Sequence, residues 1–429
     1  MNRPSLSPGE RIPNRMWLPI FFFLAFGFDY RLSAGAGPTL AVLEALSFLA
    51  IFVWFCDLVW SQRLVMTITG EAMREWRWVV FYFLWAWLTV WVGFSRSVDN
   101  LFAFRNLFPG LVVGVATLAF VRKESDVRRC VVAYLCGVVV NLVLAVSQNV
   151  LGRPYPNGLH EGAMVKMDLA GQFVINTPAG FFVHPNALAV YLIPATILLV
   201  FGAVTGAFRE WKARFVAVLL WVWVLGVMWL TYAKGAIFWA LAGLCISFAP
   251  RGMRRYPGWM ALAMLSTIPL ILLVGTDPFH WGFKTLSSMI TRFEIWGSAI
   301  AAFRDDPYIL LFGNGFRTIY YKTLRLSELP YLNAHNNVLN QILFFGVPAL
   351  LLYFTALSSA FRRAGERIRS SGDSRLLTTL VGVTVALVGE HFFEPVLDSV
   401  ALQAQYYGFL ALTLAACRVS IASPEFGRR

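Results

Sequence analysis

The chain has 429 residues, of which 58% are hydrophobic, 16% aromatic and only 14% charged. Soluble domains carry about 25% charged residues, so this composition excludes an ordinary soluble protein. A net charge of +13 would suit a nucleic-acid partner, but its distribution along the chain follows membrane topology and excludes that reading.

Apolar runs of about 20 residues, each able to cross about 30 Å of hydrocarbon, recur along the chain. They lie at 16–30, 38–60, 77–95, 99–121, 129–151, 182–206, 213–231, 233–250, 256–275, 336–360, 375–395 and 399–418. None alternates as a barrel strand would, and hydrocarbon demands an internally satisfied backbone, so the spans are predicted to be helices. The fold class is therefore an all-α polytopic membrane protein with about 12 transmembrane helices, one integral membrane domain over residues 1–429. Arg3, Arg11 and Arg15 precede the first run, which lacks a small-residue cleavage site and reads as the first helix. With the N-terminus cytoplasmic, about two thirds of the 36 Lys and Arg fall on the cytoplasmic side. Both termini are expected there, in a bacterial inner membrane. Cys56, Cys130, Cys136, Cys245 and Cys417 share that half, where thiols stay reduced. His160, His184, His280, His335 and His391 fall at or beyond the periplasmic face, and histidine is the side chain that changes charge near neutral pH. Chemistry is expected on that face.

In chain order, the second span carries Glu44 and the fourth carries Arg105, one to two turns inside. The two can pair, or Arg105 can line a cavity for a lipid-borne phosphate. A loop rich in Gly, Pro and Asn, 152–181, leads to the sixth span. The seventh and eighth runs are separated only by Thr231-Tyr-Ala-Lys, so Lys234 opens the eighth helix at membrane level. A cation there is costly and is either functional or snorkels to the interface.

The long loop 276–335 contains a helix of its own. Leu286, Met289, Ile290, Phe293, Trp296, Ile300 and Phe303 recur at spacings of three and four, a stripe suited to the membrane surface or to capping the bundle. Arg292, one turn before Trp296, can bind phosphate in a bidentate fashion or sit on a solvated face. The helix is expected to end near Asp305-Asp306-Pro307. The Phe312-Gly-Asn-Gly turn that follows needs φ > 0, and an aromatic-basic stretch with Arg317, Tyr320, Tyr321, Lys322 and Arg325 comes next. Asn333-Ala-His335-Asn336-Asn337-Val-Leu339 then opens the tenth span. With Asn as the cap, His335 is expected in the first turn. The helix field there attracts anions and disfavours imidazolium, which leaves the ring able to accept a proton; a merely solvated ring fits the same position. Glu390, His391 and Glu394 end the eleventh span without a partner at clear metal-ligand spacing, so no metal is expected. The chain has no phosphate-binding P-loop, nucleophile elbow, zinc-binding HExxH or paired-Cys motif.

Together these elements resemble the O-antigen ligase and polymerase superfamily of bacterial envelope glycosyltransferases, joined by the O-antigen ligase-like domain. The resemblance covers about residues 180–360, loop 276–335 included. Its carriers are the H-N-x-x-L element at His335–Leu339 with Gly346-Val-Pro after it, R-x-x-x-W at Arg292–Trp296, and the Phe312-Gly-Asn-Gly turn. Phe182-Val-His-Pro-Asn-Ala-Leu-Ala and the basic residue after Thr231 complete the set. Two positions depart from the pattern. Ala233-Lys234-Gly235 stands where the family has Ser-Arg-Gly, which trades a planar fork for a point charge, and Asn340 stands where an acidic residue often follows.

The resemblance implies a GT-C-like fold and a donor glycan carried on undecaprenyl pyrophosphate. Transfer would proceed with inversion and without metal, cofactor or nucleotide sugar. The acceptor would be lipid A–core for a ligase, or a second lipid-linked repeat unit for an O-antigen or exopolysaccharide polymerase. Membrane lipids are the remaining partner, with no nucleic acid. His335 fits the role of base, and Arg292 and Lys234 would meet the pyrophosphate charge. Arg317, Arg105, Asn336, Trp296 and Tyr320 are the expected substrate contacts. The rival class, a lipid-linked glycan flippase or other transporter without bond chemistry, is typically built from internal repeats, and none is evident.

Overall fold

The computed structural model describes residues 31–32, 40–41, 71–92, 107–121, 123–151, 166–167, 173–174, 177–182, 184–205, 210–231, 233–250, 253, 292, 295–297, 299–314, 334, 336–371, 375–393 and 399–419. The expected first and ninth spans lie outside these residues, as do Glu44 and Arg105. The long elements are helices: α1 (Glu71–Val92), α2 (Phe108–Phe120), α3 (Glu124–Leu151), α4 (Pro185–Thr205), α5 (Trp211–Leu230), α6 (Lys234–Ser247), the short α7 (Tyr308–Phe312), α8 (Asn337–Ser371), α9 (Arg375–Glu390) and α10 (Val400–Arg418). Five of them, α3, α4, α5, α8 and α10, are long and apolar enough to cross a membrane, and α1, α2 and α6 contain shorter apolar helices. This is the make-up of a membrane-embedded helical protein. Two short antiparallel ladders accompany them, Arg31–Leu32 with Leu40–Ala41 and Lys166–Met167 with Phe173–Val174. The first gives residues expected to open the second span to a hairpin instead.

Burial sorts the helices into centre and rim. A helix that is apolar all round belongs inside, and α4 and α10 are buried along almost their whole length. By contrast α5 turns Phe215, Val216, Leu219 and Trp229 outward, and α1 does the same with Leu84, Trp87 and Trp91. The N-terminus of α4 is set by His184, whose carbonyl accepts from the Ala187 and Leu188 amides at 3.0 and 3.3 Å. Pro185 follows as the first helical residue, where its missing N–H costs nothing. The turn before it hangs on α3. Gln148 Oε1 accepts from the Ala179 and Gly180 amides at 3.0 and 2.9 Å, and Asn141 Oδ1 accepts from the Phe181 amide at 3.1 Å.

Lipid tails are as apolar as leucine, so close packing has to hold such helices together. The crossing of α6 and α9 meets that need with glycine. A Cβ on Gly243 would lie 2.9 Å from Gly382 O, and one on Gly382 would lie 2.5 Å from Gly243 O. Elsewhere, α2 and α10 run parallel, with Gly110 against Gln403 and Tyr407 at one end and Arg418 Nη2 donating to Leu118 O at 2.7 Å at the other.

The tenth span departs most from expectation. It begins at Asn337 and runs to Ser371, and it is broken at Gly346 (φ 80, ψ 172), with Pro348 just beyond. The break is filled by the loop. The Asn314 amide donates to Leu343 O at 2.7 Å, and Trp85 Nε1 of α1 donates to Phe345 O at 2.8 Å. Phe312 stacks on Trp85 with ring centroids 5.9 Å apart. A Cβ on Gly346 would lie 2.3 Å from Leu311 O. Gly346→Ala is therefore expected to cost about 1–3 kcal/mol in backbone strain, with a further loss from that overlap. Gly226→Ala on α5, where a Cβ would meet nothing within 4 Å, should be neutral or stabilising. Thermal unfolding in detergent compares the two, and equal midpoints would contradict this account of the break.

Candidate functional site

Four segments meet at one end of the bundle. The first is the loop helix, helical at Arg292, at 295–297 and at 299–305. Its buried face is Ile295, Ala299 and Ala302, with Trp296 and Phe303 beside it, while Ile300 is 60% exposed. The expected stripe is thus turned by about one residue. Small alanines let the helix seat closely, and the bulkier Ile300 points away. Trp296 Nε1 donates to Ala334 O at 2.9 Å, so the indole pins the loop helix to the segment before α8. Arg292, one turn earlier, is partly buried.

The second segment is the opening of α8. Asn336 is buried, its Oδ1 accepts from the Leu339 amide at 3.1 Å, and its carbonyl accepts from the Asn340 amide at 2.9 Å. The cap is therefore Asn336, and the helix starts two residues after His335 instead of enclosing it in the first turn. Asn340 Oδ1 accepts from the Ala334 amide at 2.8 Å. His335 lies outside the described residues, but its two neighbours are buried and hydrogen-bonded.

The third segment is the turn after α9. The Asn337 amide donates to His391 O at 2.7 Å, so this turn braces the first residue of α8. The His391 ring is buried against Tyr406, with centroids 4.7 Å apart, and its Nδ1 lies 3.2 Å from Tyr353 Oη. The fourth is the start of α6, which Lys234 opens. Glu390, 2% exposed, lays its carboxylate against the next residue: a Cβ on Gly235 would lie 2.8 Å from Oε2 and 3.0 Å from Oε1.

The contacts run in series from the Arg292 helix through Trp296 to Ala334, from Asn337 to His391, and from Glu390 to the helix that Lys234 begins. Three segments expected to carry chemistry thus share one end of the bundle. The side chain of Lys234 and all of Arg317, Tyr320 and Arg105 lie outside the described residues. Among the described residues no group of three His, Cys, Asp or Glu side chains is arranged to hold a metal ion. Glu390 is the residue the motifs passed over, having weight only as a weak metal ligand. A signal existed: α6 begins Ala-Lys-Gly, with neither a capping side chain nor an acid in its first turn, and such an opening asks for an acid from elsewhere.

Removing the cap tests the opening of α8. Asn336→Ala should cost about 1 kcal/mol and speed hydrogen exchange at the Leu339 and Asn340 amides, whereas Asn336→Ser should keep most of the protection. Unchanged exchange in the alanine variant would place the cap elsewhere. No family model matches the chain, and no curated protein matches it.

Proposed function

We propose that this protein is an inner-membrane glycosyltransferase of the O-antigen ligase and polymerase kind, GT-C-like, with about twelve spans, cytoplasmic termini and a periplasmic site. It would transfer a glycan from undecaprenyl pyrophosphate to lipid A–core or to a second lipid-linked repeat unit. The supporting observation is the convergence just described: the segments around His335 and Arg292 and the helix opening at Lys234 are tied together by a series of contacts. A base and two cations drawn from those segments are what the reaction needs.

In this mechanism the acceptor oxygen attacks the anomeric carbon on the face opposite the pyrophosphate. The new C–O bond forms as the anomeric C–O bond to phosphate breaks, so configuration inverts. The bonding pair leaves on undecaprenyl pyrophosphate, where Arg292 and Lys234 meet the developing charge. The acceptor proton passes to His335. Fixed side-chain cations supply the electrostatic stabilisation, so the step needs no nucleotide and no redox partner.

One feature favours the rival transporter reading. Transporters bind their cargo at broken helices, and α8 is broken at Gly346. The carbonyls of Leu343 and Phe345 at that break, however, already accept from Asn314 and Trp85 and do not offer an open site.

His335→Ala and Arg292→Ala should each abolish polymerised or ligated glycan while leaving the protein's membrane abundance unchanged; normal glycan from both would sink the enzyme reading. In a deletion strain, long unligated lipid-linked chains would mark a ligase and accumulated single repeats a polymerase. Donor retained on the cytoplasmic leaflet would mark a flippase.

A further inference from the structure

We propose that Glu390 is a positioning residue of this site, holding the Lys234 opening of α6 against the turn that braces the start of α8, next to the His335 segment. The inference rests on the reading above and extends it to a residue that reading does not use.

The opening of α6 is a misfit. A helix N-terminus carries partial positive charge and exposes free N–H groups, so it favours an acid or a capping oxygen. Instead α6 has Ala233 at its N-cap, no side-chain cap bond, no acid in its first turn, and a lysine as its first residue. A cation set there by its own helix is opposed by that helix's field. Glu390 shifts the balance from another element. Its two carboxylate oxygens lie against Gly235, the second residue of α6, where negative charge is favoured and partly offsets the field that Lys234 meets.

The reciprocal misfit is in α9. Glu390 is 2% exposed and is the most buried carboxylate among the described residues. A buried carboxylate is strongly penalised unless positive charge or donors compensate it, and the positive end of α6, beside which this one lies, contributes to that compensation. Gly235 makes the approach possible, since any side chain there would overlap the carboxylate. Gly243 and Gly382, two turns further along the crossing, fix the register that brings Glu390 to this position.

The carboxylate also stands next to the bond that joins α9 to the catalytic segment. His391, its immediate neighbour in the chain, accepts from the Asn337 amide at 2.7 Å, and Asn336 caps the same helix. Glu390 therefore sits at the point where a shift of α6 would be passed to the residues flanking His335, and where a shift of α8 would be passed to Lys234.

The test uses the full-length protein in nanodiscs with an undecaprenyl-pyrophosphate-linked repeat unit, following release of undecaprenyl pyrophosphate. Glu390→Gln keeps the shape and removes the charge. It should lower kcat at least tenfold with KM for the donor changed less than threefold and with the thermal midpoint retained. Glu390→Asp should restore a third or more of the wild-type kcat. Adding Glu390→Gln to Lys234→Ala should cost no more than Lys234→Ala alone, because a positioning residue acts through the group it positions. Should Glu390→Gln fail to accumulate, Glu390→Asp with and without Lys234→Ala gives the same comparison. Wild-type kcat in Glu390→Gln, or full additivity with Lys234→Ala, would overturn the positioning role while leaving the glycosyltransferase reading in place. A wild-type protein that releases no undecaprenyl pyrophosphate would overturn both.

Discussion

A broken helix inside a bilayer must find partners for the backbone groups it releases, since unsatisfied groups there cost several kcal/mol each. That constraint organises this protein. α8 breaks at Gly346, and Pro348 removes one more donor. Asn314 of the loop and Trp85 of α1 answer the carbonyls of Leu343 and Phe345. The loop therefore cannot drift from the bundle without leaving a carbonyl bare in an apolar setting. It is held a second time by Trp296, which donates to Ala334 just before the same helix begins. The part of α8 before the break, residues 337–345, is about 13 Å long at 1.5 Å per residue, and the loop is fastened to both of its ends. Arg292 rides on that doubly fastened element.

A second constraint fixes the other half of the site. Between apolar helices in apolar solvent, association depends on close contact and on polar backbone bonds. The crossing of α6 and α9 relies on contact, through glycines that bring the backbones together at Gly243 and Gly382. The junction of α9 with α8 relies on one backbone bond, from Asn337 to His391. These two fixings meet the loop's fastenings at residues 334–337. A site assembled on packed helices holds its geometry better than one assembled on loops, and the described part of loop 276–335 is attached to helices at Trp296 and Asn314.

Much of this was legible in the sequence, and the failures have physical causes. Hydropathy located α3, α4, α5 and α10 to within a few residues, because a 20-residue apolar run has few other uses. It missed the break in α8, since Gly346-Val-Pro348 is as apolar as its surroundings and hydropathy does not register φ; the Gly and Pro themselves were the warning. The amphipathic stripe of the loop was read one residue off because Ile300 outweighs Ala299 on any hydrophobicity scale. Seating against a bundle rewards small size as much as apolarity, so the alanines went inside. The cap before α8 was misplaced for a different reason. Asn333, Asn336 and Asn337 are chemically equivalent caps, and only the bonds made by Leu339 and Asn340 choose among them.

The two departures from the family pattern look different once their surroundings are known. At 340 the structure uses the side chain as an acceptor for the Ala334 amide. An Asn amide oxygen does that as well as a carboxylate and, in the proposed reaction, adds no negative charge beside the pyrophosphate. At 234 a point charge replaces a planar fork, which would weaken recognition if the side chain acted alone. It does not stand alone in the chain's architecture: the helix it opens receives a carboxylate from α9 at its very next residue. An amide in place of an acid at 340 and a carboxylate brought from α9 to the start of α6 together set the charge balance on which the proposed reaction would draw. In the proposed reaction the essential property of this end of the bundle is that balance, and the identity of any one cation is secondary to it.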